Sequence, residues 1–260
     1  EPSRLAPYGR DESDTGEFPP DVLVLPADAQ QVSAVFSLCQ SHGVPFTPVG
    51  ARSGKSGGSL PVQGGVSDIS LDRLVQFERL VEKWNPSINV VAKSTIGDIW
   101  HRHILDSIQL FQIARPDQRT WLDLGSGGGF PGIVVAILAA EAMPEMRISL
   151  VESDRRKGVF LGECIRQLGL SATVYPSRIE DLAAQNACVV SARALAPLQS
   201  LCAFGFRHIR QGGICAFMKG ATVEAEIVEA EKAWRFDLDR VTSVTDSRSS
   251  ILFLRGLQHV

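Results

Sequence analysis

The sequence predicts an α/β fold: a mostly parallel sheet, covered by helices on both faces, with an antiparallel edge strand. Three observations predict it. From residue 119 onward, strand-like and helix-like stretches alternate, the pattern of parallel strands joined by crossover helices. A strand, a glycine-rich loop and a helix open that alternation at 119–141. The last two strand-like runs, about 238–245 and 250–255, have no helix between them, which makes an antiparallel edge. A small α+β fragment precedes this fold.

The elements follow in order. Residues 1–20 are polar and rich in Pro, Asp and Glu, a loose lead-in. Val22–Leu25 is a short strand closed by Pro26. Over 28–42, Val32, Val35, Phe36 and Cys39 share a helical face, and Gly43 stops the helix. A second short strand, 44–48, leads into a glycine-rich run. The character changes between Val66 and Leu71. Leu71, Leu74, Phe77, Leu80, Val81 and Trp84 then recur at helical spacing, and a mixed segment continues to about Pro116. Strands are predicted at 119–124, 146–152, 171–175, 187–192 and 213–218, with helices at 132–141, 155–168, 195–208 and 222–234. Trp84 and Phe160 are expected in the core.

Composition narrows the class. With 260 residues, 44% hydrophobic and 21% charged, the chain suits one large soluble domain or two small ones. A net charge of −3 gives no bulk attraction to nucleic acid, so such a partner would need a local basic patch. The five cysteines form no CxxC pair, which argues against a zinc site or disulfide framework and for buried thiols in a reducing compartment. The longest apolar run, Ile133–Ala140, is too short to cross a bilayer, and the N-terminus is acidic and polar rather than leader-like. A cytoplasmic location, no membrane and no metal are expected.

Two glycine-rich runs invite a ligand. The later one, WLDLGSGGGFPG (121–132), follows a strand and opens a helix. Its glycines let the backbone approach a ligand with no Cβ in the way, and the helix start offers free N–H groups. Glu152, closing the next strand, is placed to accept both hydroxyls of a ribose. An adenosine-type cofactor is implied, and two candidates remain. Gly127, Gly129 and Gly132 fit G-x-G-x-x-G, the dinucleotide pattern. However, that register starts three residues past the strand, and Pro131 lacks an N–H that a pyrophosphate would use. S-adenosylmethionine has no phosphate, and Asp123 suits its ammonium, so the methyl donor is favoured.

The matching pieces then extend well beyond that loop. KWNPSINVV (83–91), HRHILDSIQL (101–110), LDLGSGGGFPG (122–132), VESDRRKGVFL (151–161), SRIEDL (177–182), SARALAPL (191–198) and FMKG (217–220) occur in order. In these, the segment from about 70 to 260 resembles the GidB-type 16S ribosomal RNA guanine-N7 methyltransferases. The resemblance implies a Rossmann-like class I methyltransferase acting on small-subunit ribosomal RNA with S-adenosylmethionine. It places Gly125, Gly127, Gly129 and Phe130 at the methyl donor, with Glu152 at its ribose and Ile179 and Glu180 at its adenine. Arg193 would face the cleft between cofactor and substrate, and with Lys219 it is the candidate catalytic pair. Arg102, His103 and Asp106 would close the pocket. Arg155, Arg156, Lys157, Arg178 and Lys219 would meet RNA phosphate.

Bland readings stand beside these. Guanine N7 has a free lone pair, so the reaction needs positioning rather than a general base. His103 is accordingly expected to be a structural residue hydrogen-bonded to Asp106. Arg155, Arg156 and Lys157 could form only a solvated face, although cations at a helix start are mildly unfavourable. Arg178 could simply pair with Glu180 or Asp181.

The earlier run, GARSGKSGG (50–58), nearly spells a phosphate-binding loop but has three residues between Gly50 and Gly54 where that motif needs four. YGRDES (8–13), PPDVLVLPADAQQV (19–32) and HGVPFTPVGARSGKSGGSLPVQGGV (42–66) instead resemble the start of the FAD-binding domain of lactate/glycolate-type flavin oxidases. The resemblance covers only the opening of that domain, so residues 1–66 are expected to be a partial fragment that does not hold FAD, joined to a methyltransferase domain at 67–260. Two other functions remain as alternatives: a flavin-dependent oxidoreductase using the first loop, and a non-catalytic RNA- or ribosome-binding module.

Overall fold

The computed structural model describes residues 68–114 and 119–260, together with Val24, Val35, Leu38 and Cys39. The strands and helix expected over 22–48 and the glycine run at 48–58 otherwise lie outside the described residues.

Helix α1 (Asp68–Ile88) buries Leu71, Leu74, Phe77, Leu80 and Val81 along one stripe, as its spacing requires. A 3₁₀ turn (Lys93–Asp98), a π-helical turn (Trp100–Leu105) and α2 (Asp106–Ala114) follow. Then come β1 (Thr120–Leu124), α3 (Gly132–Ala142), β2 (Arg147–Val151), α4 (Arg155–Leu168), β3 (Ala172–Tyr175) and β4 (Ala187–Arg193). The chain closes with α5 (Leu198–His208), β5 (Ile209–Lys219), α6 (Val223–Ala230), β6 (Trp234–Thr242) and β7 (Ser250–His259).

The seven strands form one sheet in the order β3-β2-β1-β4-β5-β7-β6. Strands β3 to β5 run parallel, β7 pairs antiparallel with β5, and β6 is the edge strand, antiparallel to β7. The order reverses between β1 and β4, the point where ligands bind outside the carboxyl ends of strands in open α/β sheets. The expected Rossmann-like α/β class with an antiparallel edge is therefore the observed one.

Alternation along each strand divides the core between the two faces. Trp121, Leu150, Ala216 and Phe253 pack with α1 to α4, whereas Leu122, Leu124, Phe217 and Leu252 pack with α5 and α6. Helix α3 is apolar nearly all round because it is covered on every side: Ile133, Val134, Val135 and Ile137 are all buried. Helix α4 has clear ends. The Asp154 carboxylate accepts from Arg156 N at 2.8 Å and Lys157 N at 3.4 Å, and Gly169 (φ 62°) closes it in the left-handed region. Asp154 also offsets the cations Arg155, Arg156 and Lys157 in the first turn.

The mixed segment turns out to be helical and tied to the far end of the chain. Gln109 of α2 donates from Nε2 to Thr242 O (3.0 Å) and accepts Val244 N at Oε1 (3.1 Å). Asp106 accepts from the hydroxyls of Ser243 and Thr245. The β6–β7 turn is thereby fixed against α2. All five cysteines are free thiols, four of them buried. Among the described residues, no helix is long and apolar enough to cross a membrane.

Candidate functional site

A cleft of about 520 Å³ lies over the carboxyl ends of β1, β2 and β4. Gly125, Ser126, Gly127, Gly128 and Phe130 form its floor, and Glu152, Ser153 and Lys157 follow from β2 and the start of α4. Ser177 to Glu180 wall it beyond β3, and Arg193 to Ala196 beyond β4. Val90, Val91 and His103 close it from the segment before the sheet.

The glycines are needed for close approach. At Gly125 (φ 62°) an added Cβ would lie 2.5 Å from Leu195 Cδ1; at Gly128 it would lie 2.6 Å from Val90 O. Most amides of the loop and of the helix start are already engaged. Ser126 N donates to Val151 O (2.9 Å), Gly129 N to Ser126 O (2.7 Å) and Ile133 N to Gly129 O (2.8 Å). Gly127 N donates to Glu152 Oε2 (2.8 Å), and Gly132 N to Asp123 Oδ2 (3.2 Å). With Pro131 lacking an N–H, this loop offers little to a phosphate and leaves an open, Cβ-free cradle beside a carboxylate. Glu152 is held by two amides, the second from Asp154 N to Oε1 (2.7 Å), so its orientation toward the cleft is fixed. Ile179, buried, and Glu180, exposed, present an apolar surface next to an acceptor. These residues fit the adenosine and sulfonium of S-adenosylmethionine better than they fit a dinucleotide.

Several expected site residues stand elsewhere. Asp123 does not line the cleft. It is fully buried beneath the loop, accepting from Ser191 Oγ at 2.7 Å, and Ser191 in turn accepts from Trp121 Nε1 at 2.8 Å. Burial raises its pKa to about 6, against the lowering effect of these hydrogen bonds. Its role is to fasten the start of α3 to β1 rather than to receive an ammonium. Gly129 also points away, packing on Ile133 and Phe77.

Lys219 does not line the cleft. Its Nζ lies 2.6 Å from Glu226 Oε2 and donates to Ala196 O at 2.9 Å, with only 10% of the side chain exposed. Glu226 also accepts Leu198 N (2.8 Å) and the Thr222 hydroxyl (2.8 Å). The pair joins the end of β5, the start of α6 and the loop after β4. That loop lines the cleft, so Lys219 supports the site from behind.

His103 does line the cleft, but it does not bond Asp106. Its Nε2 lies 3.0 Å from Thr95 Oγ1, while Asp106 is engaged with the β6–β7 turn. Arg193 also lines it, donating from Nη2 to Arg102 O at 2.6 Å, and burial is the main cause holding its pKa below the usual guanidinium value. Arg102 is exposed next to this contact. Lys157 and Arg178 are at the rim, and Arg178 forms no ion pair with Glu180 or Asp181. Arg155 and Arg156 are exposed on α4 farther from the lining, Arg156 beside Asp154 at 3.3 Å. Among the described residues, no cluster of histidine, cysteine and carboxylate side chains is arranged to hold a metal.

Val90, Val91, Leu195 and Phe204 are cleft residues that periodicity did not single out. Val90 and Val91 follow a turn fixed by buried Asn85, whose Oδ1 accepts Val91 N at 2.8 Å. The NPSIN stretch before them was the available signal.

Comparison with known proteins shows the family. Residues 70–252 match the family model of rRNA small subunit methyltransferase G, and residues 20–87 match that of an FAD binding domain. Ribosomal RNA small subunit methyltransferase G of a Ruegeria species is 50% identical over 195 residues, 75% of this chain and 95% of that protein. The protein of the same name from Cereibacter sphaeroides is 48% identical over 202 residues, 78% of this chain and 98% of that one. The counterpart from Rhodospirillum centenum is 46% identical over 199 residues. This chain belongs to the rRNA small subunit methyltransferase G family.

Proposed function

We propose that this chain transfers a methyl group from S-adenosylmethionine to N7 of a guanine in 16S ribosomal RNA, acting in the cytoplasm on the small subunit or its RNA. The observation that carries the reading is the cleft itself: a Cβ-free glycine floor, an oriented carboxylate at Glu152, and a loop whose amides are turned inward rather than toward a phosphate. Gly125, Gly127 and Phe130 would seat the cofactor, Glu152 would hold its ribose, and Ile179 and Glu180 its adenine. When bound, S-adenosylmethionine supplies an electrophilic methyl group. Guanine N7 needs no deprotonation, so the protein's task is to orient the base and exclude water. Arg193, which lines the cleft, would act on the acceptor side. Lys157 and Arg178 at the rim, with Arg155, Arg156 and Arg102 further out, would engage RNA phosphate. Lys219 contributes by holding the loop after β4.

We further infer that residues 1–66 are a partial FAD-binding fragment without activity of its own and that 67–260 is the methyltransferase domain. Support comes from α1, which is shared by both matched ranges yet has its apolar stripe packed with α3 and α4.

The test uses the full chain. Calorimetry is expected to show one S-adenosylmethionine site and no FAD binding. Labelled methyl transfer is expected onto small subunits lacking the modification, at guanine N7. Cofactor binding without transfer to any ribosomal RNA would refute the activity, and a bound flavin would favour the oxidoreductase alternative.

A further inference from the structure

The hydrogen bonds around His103 fix which of its nitrogens carries the proton. The Thr95 hydroxyl donates to Ala92 O at 2.9 Å, so its single proton is committed. His103 Nε2, 3.0 Å from the same oxygen, must therefore be the donor. Nδ1 is left as a lone pair with no hydrogen-bond partner among the described residues, in a ring that lines the cleft and packs on Phe130 with centroids 5.0 Å apart. Unlike Nδ1 of His208, it is not sealed in the interior. Burial first, then the charges of Arg193 and Arg102, push the imidazole pKa down to about 3, so the ring stays neutral at ordinary pH. Beside it, Arg193 can only donate. Its Nη2 is engaged with Arg102 O, and its Nη1 is buried with no acceptor among the described residues. An acceptor-only group and a donor-only group thus both line the cleft, near enough for the Arg193 charge to act on the His103 ring.

We propose that this pair selects guanine as the methyl acceptor, Arg193 donating to O6 and His103 Nδ1 accepting from N1–H. The proposal rests on the methyl-transfer reading above. N7, O6 and N1–H follow one another around the guanine ring, so both contacts adjoin the reacting nitrogen and leave its lone pair free. Adenine has the opposite polarity at both positions: its 6-amino group would face a donor and its N1 an acceptor. A histidine free to exchange tautomers would read neither base, which gives Thr95 a positioning role. Each contact of this kind discriminates by on the order of 10- to 100-fold.

The test compares small subunits, or their RNA, reconstituted with guanine, inosine or adenine at the target position. Inosine keeps O6 and N1–H and is expected to be methylated within about threefold of guanine, while adenine falls by on the order of 100-fold or more. His103→Leu is expected to lower kcat/KM on guanine RNA on the order of tenfold and to narrow the guanine–adenine ratio, with the S-adenosylmethionine Kd within about twofold of wild type. Thr95→Val leaves the cleft lining intact and is expected to narrow the ratio by releasing the tautomer. Nitrogen-15 NMR of labelled histidine should show His103 neutral and protonated at Nε2 from about pH 5 to pH 8, and a tautomer mixture in Thr95→Val. The proposal is overturned by an unchanged ratio in His103→Leu, by a parallel loss of cofactor affinity, by rejection of inosine, or by a proton on Nδ1. If His103→Leu does not fold, Thr95→Val and the NMR spectrum decide. Wild-type protein that binds no S-adenosylmethionine or methylates no RNA would instead refute the underlying activity.

Discussion

Gly128→Ala tests whether the roof of the cleft is as rigid as its hydrogen bonds imply. The new methyl would sit 2.6 Å from Val90 O and 2.8 Å from Val90 Cγ1, so the Val90 carbonyl must retreat by about 0.8 Å to reach ordinary contact at 3.4 Å. It has little room to do so. Asn89 N donates to Asn85 O at 3.0 Å, Val91 N donates to Asn85 Oδ1 at 2.8 Å, and Asn85 is buried. Overpacking of this kind costs about 1–3 kcal/mol, which lowers the melting temperature of a domain this size by roughly 2–12 °C. Because Val90 and Val91 line the cleft, the displacement also reaches the ligand, and the S-adenosylmethionine Kd is expected to rise by about tenfold or more. Thermal scanning and calorimetry on the same samples read both effects. Gly162→Ala is the control: it lies in exposed mid-helix with nothing within 4 Å, so it should stabilise by about 0.5–1 kcal/mol and leave binding unchanged. A Gly128→Ala protein with wild-type melting and wild-type Kd would refute the tight roof.

Three further outcomes are expected. Glu152→Gln places an NH₂ against one of two amide donors, and calorimetry should show S-adenosylmethionine affinity reduced by about tenfold or more, with far-ultraviolet circular dichroism unchanged. Lys219→Met leaves the half-buried Glu226 carboxylate without its cation but still bonded to Leu198 N and the Thr222 hydroxyl, so chemical denaturation should show a loss of about 1–3 kcal/mol, whereas the salt dependence of RNA binding keeps its slope; a changed slope would place Lys219 at the RNA interface. Asp123 has a folded-state pKa raised to about 6 from 3.8, so the unfolded chain ionises first and stability falls as pH rises from about 4 to about 6; Asp123→Asn should flatten that stretch of the pH–stability profile.

Much of the sheet was legible because its elements repeat a simple rule. Helix α4 runs from Arg155 to Leu168 as expected, since an N-capping aspartate and a left-handed glycine mark both ends. Strand β5 begins at Ile209, directly after α5, rather than at 213; residues 210–212 are polar and exposed, so hydrophobicity did not announce that extension. Helix α6 stops at Ala230 rather than 234, where Trp234 enters the edge strand. Helix α2 was unreadable for another reason: Asp106 and Gln109 are held by Thr242 to Thr245, far away in the chain. The glycine floor and Glu152 were visible in the sequence, as were Ile179 and Glu180. What a carboxylate or lysine faces was not. Asp123 borders Ser191 across the β1–β4 register, and only that pairing shows that it is satisfied internally. Lys219 looked free until α6 brought Glu226 to it.

The inward-turned amides of the glycine loop bear on which small molecules can compete for the cleft. On the proposed reading of the cleft, ATP and NAD carry the same base and sugar as the methyl donor and would meet Glu152, Ile179 and Glu180 in the same way. Past the sugar, they need somewhere to lodge concentrated negative charge, and here the main chain from Ser126 to Ile133 has largely been taken up in holding itself together. A polyphosphate tail would then have to reach the rim cations Lys157 and Arg178, because the loop itself has few amides left to give.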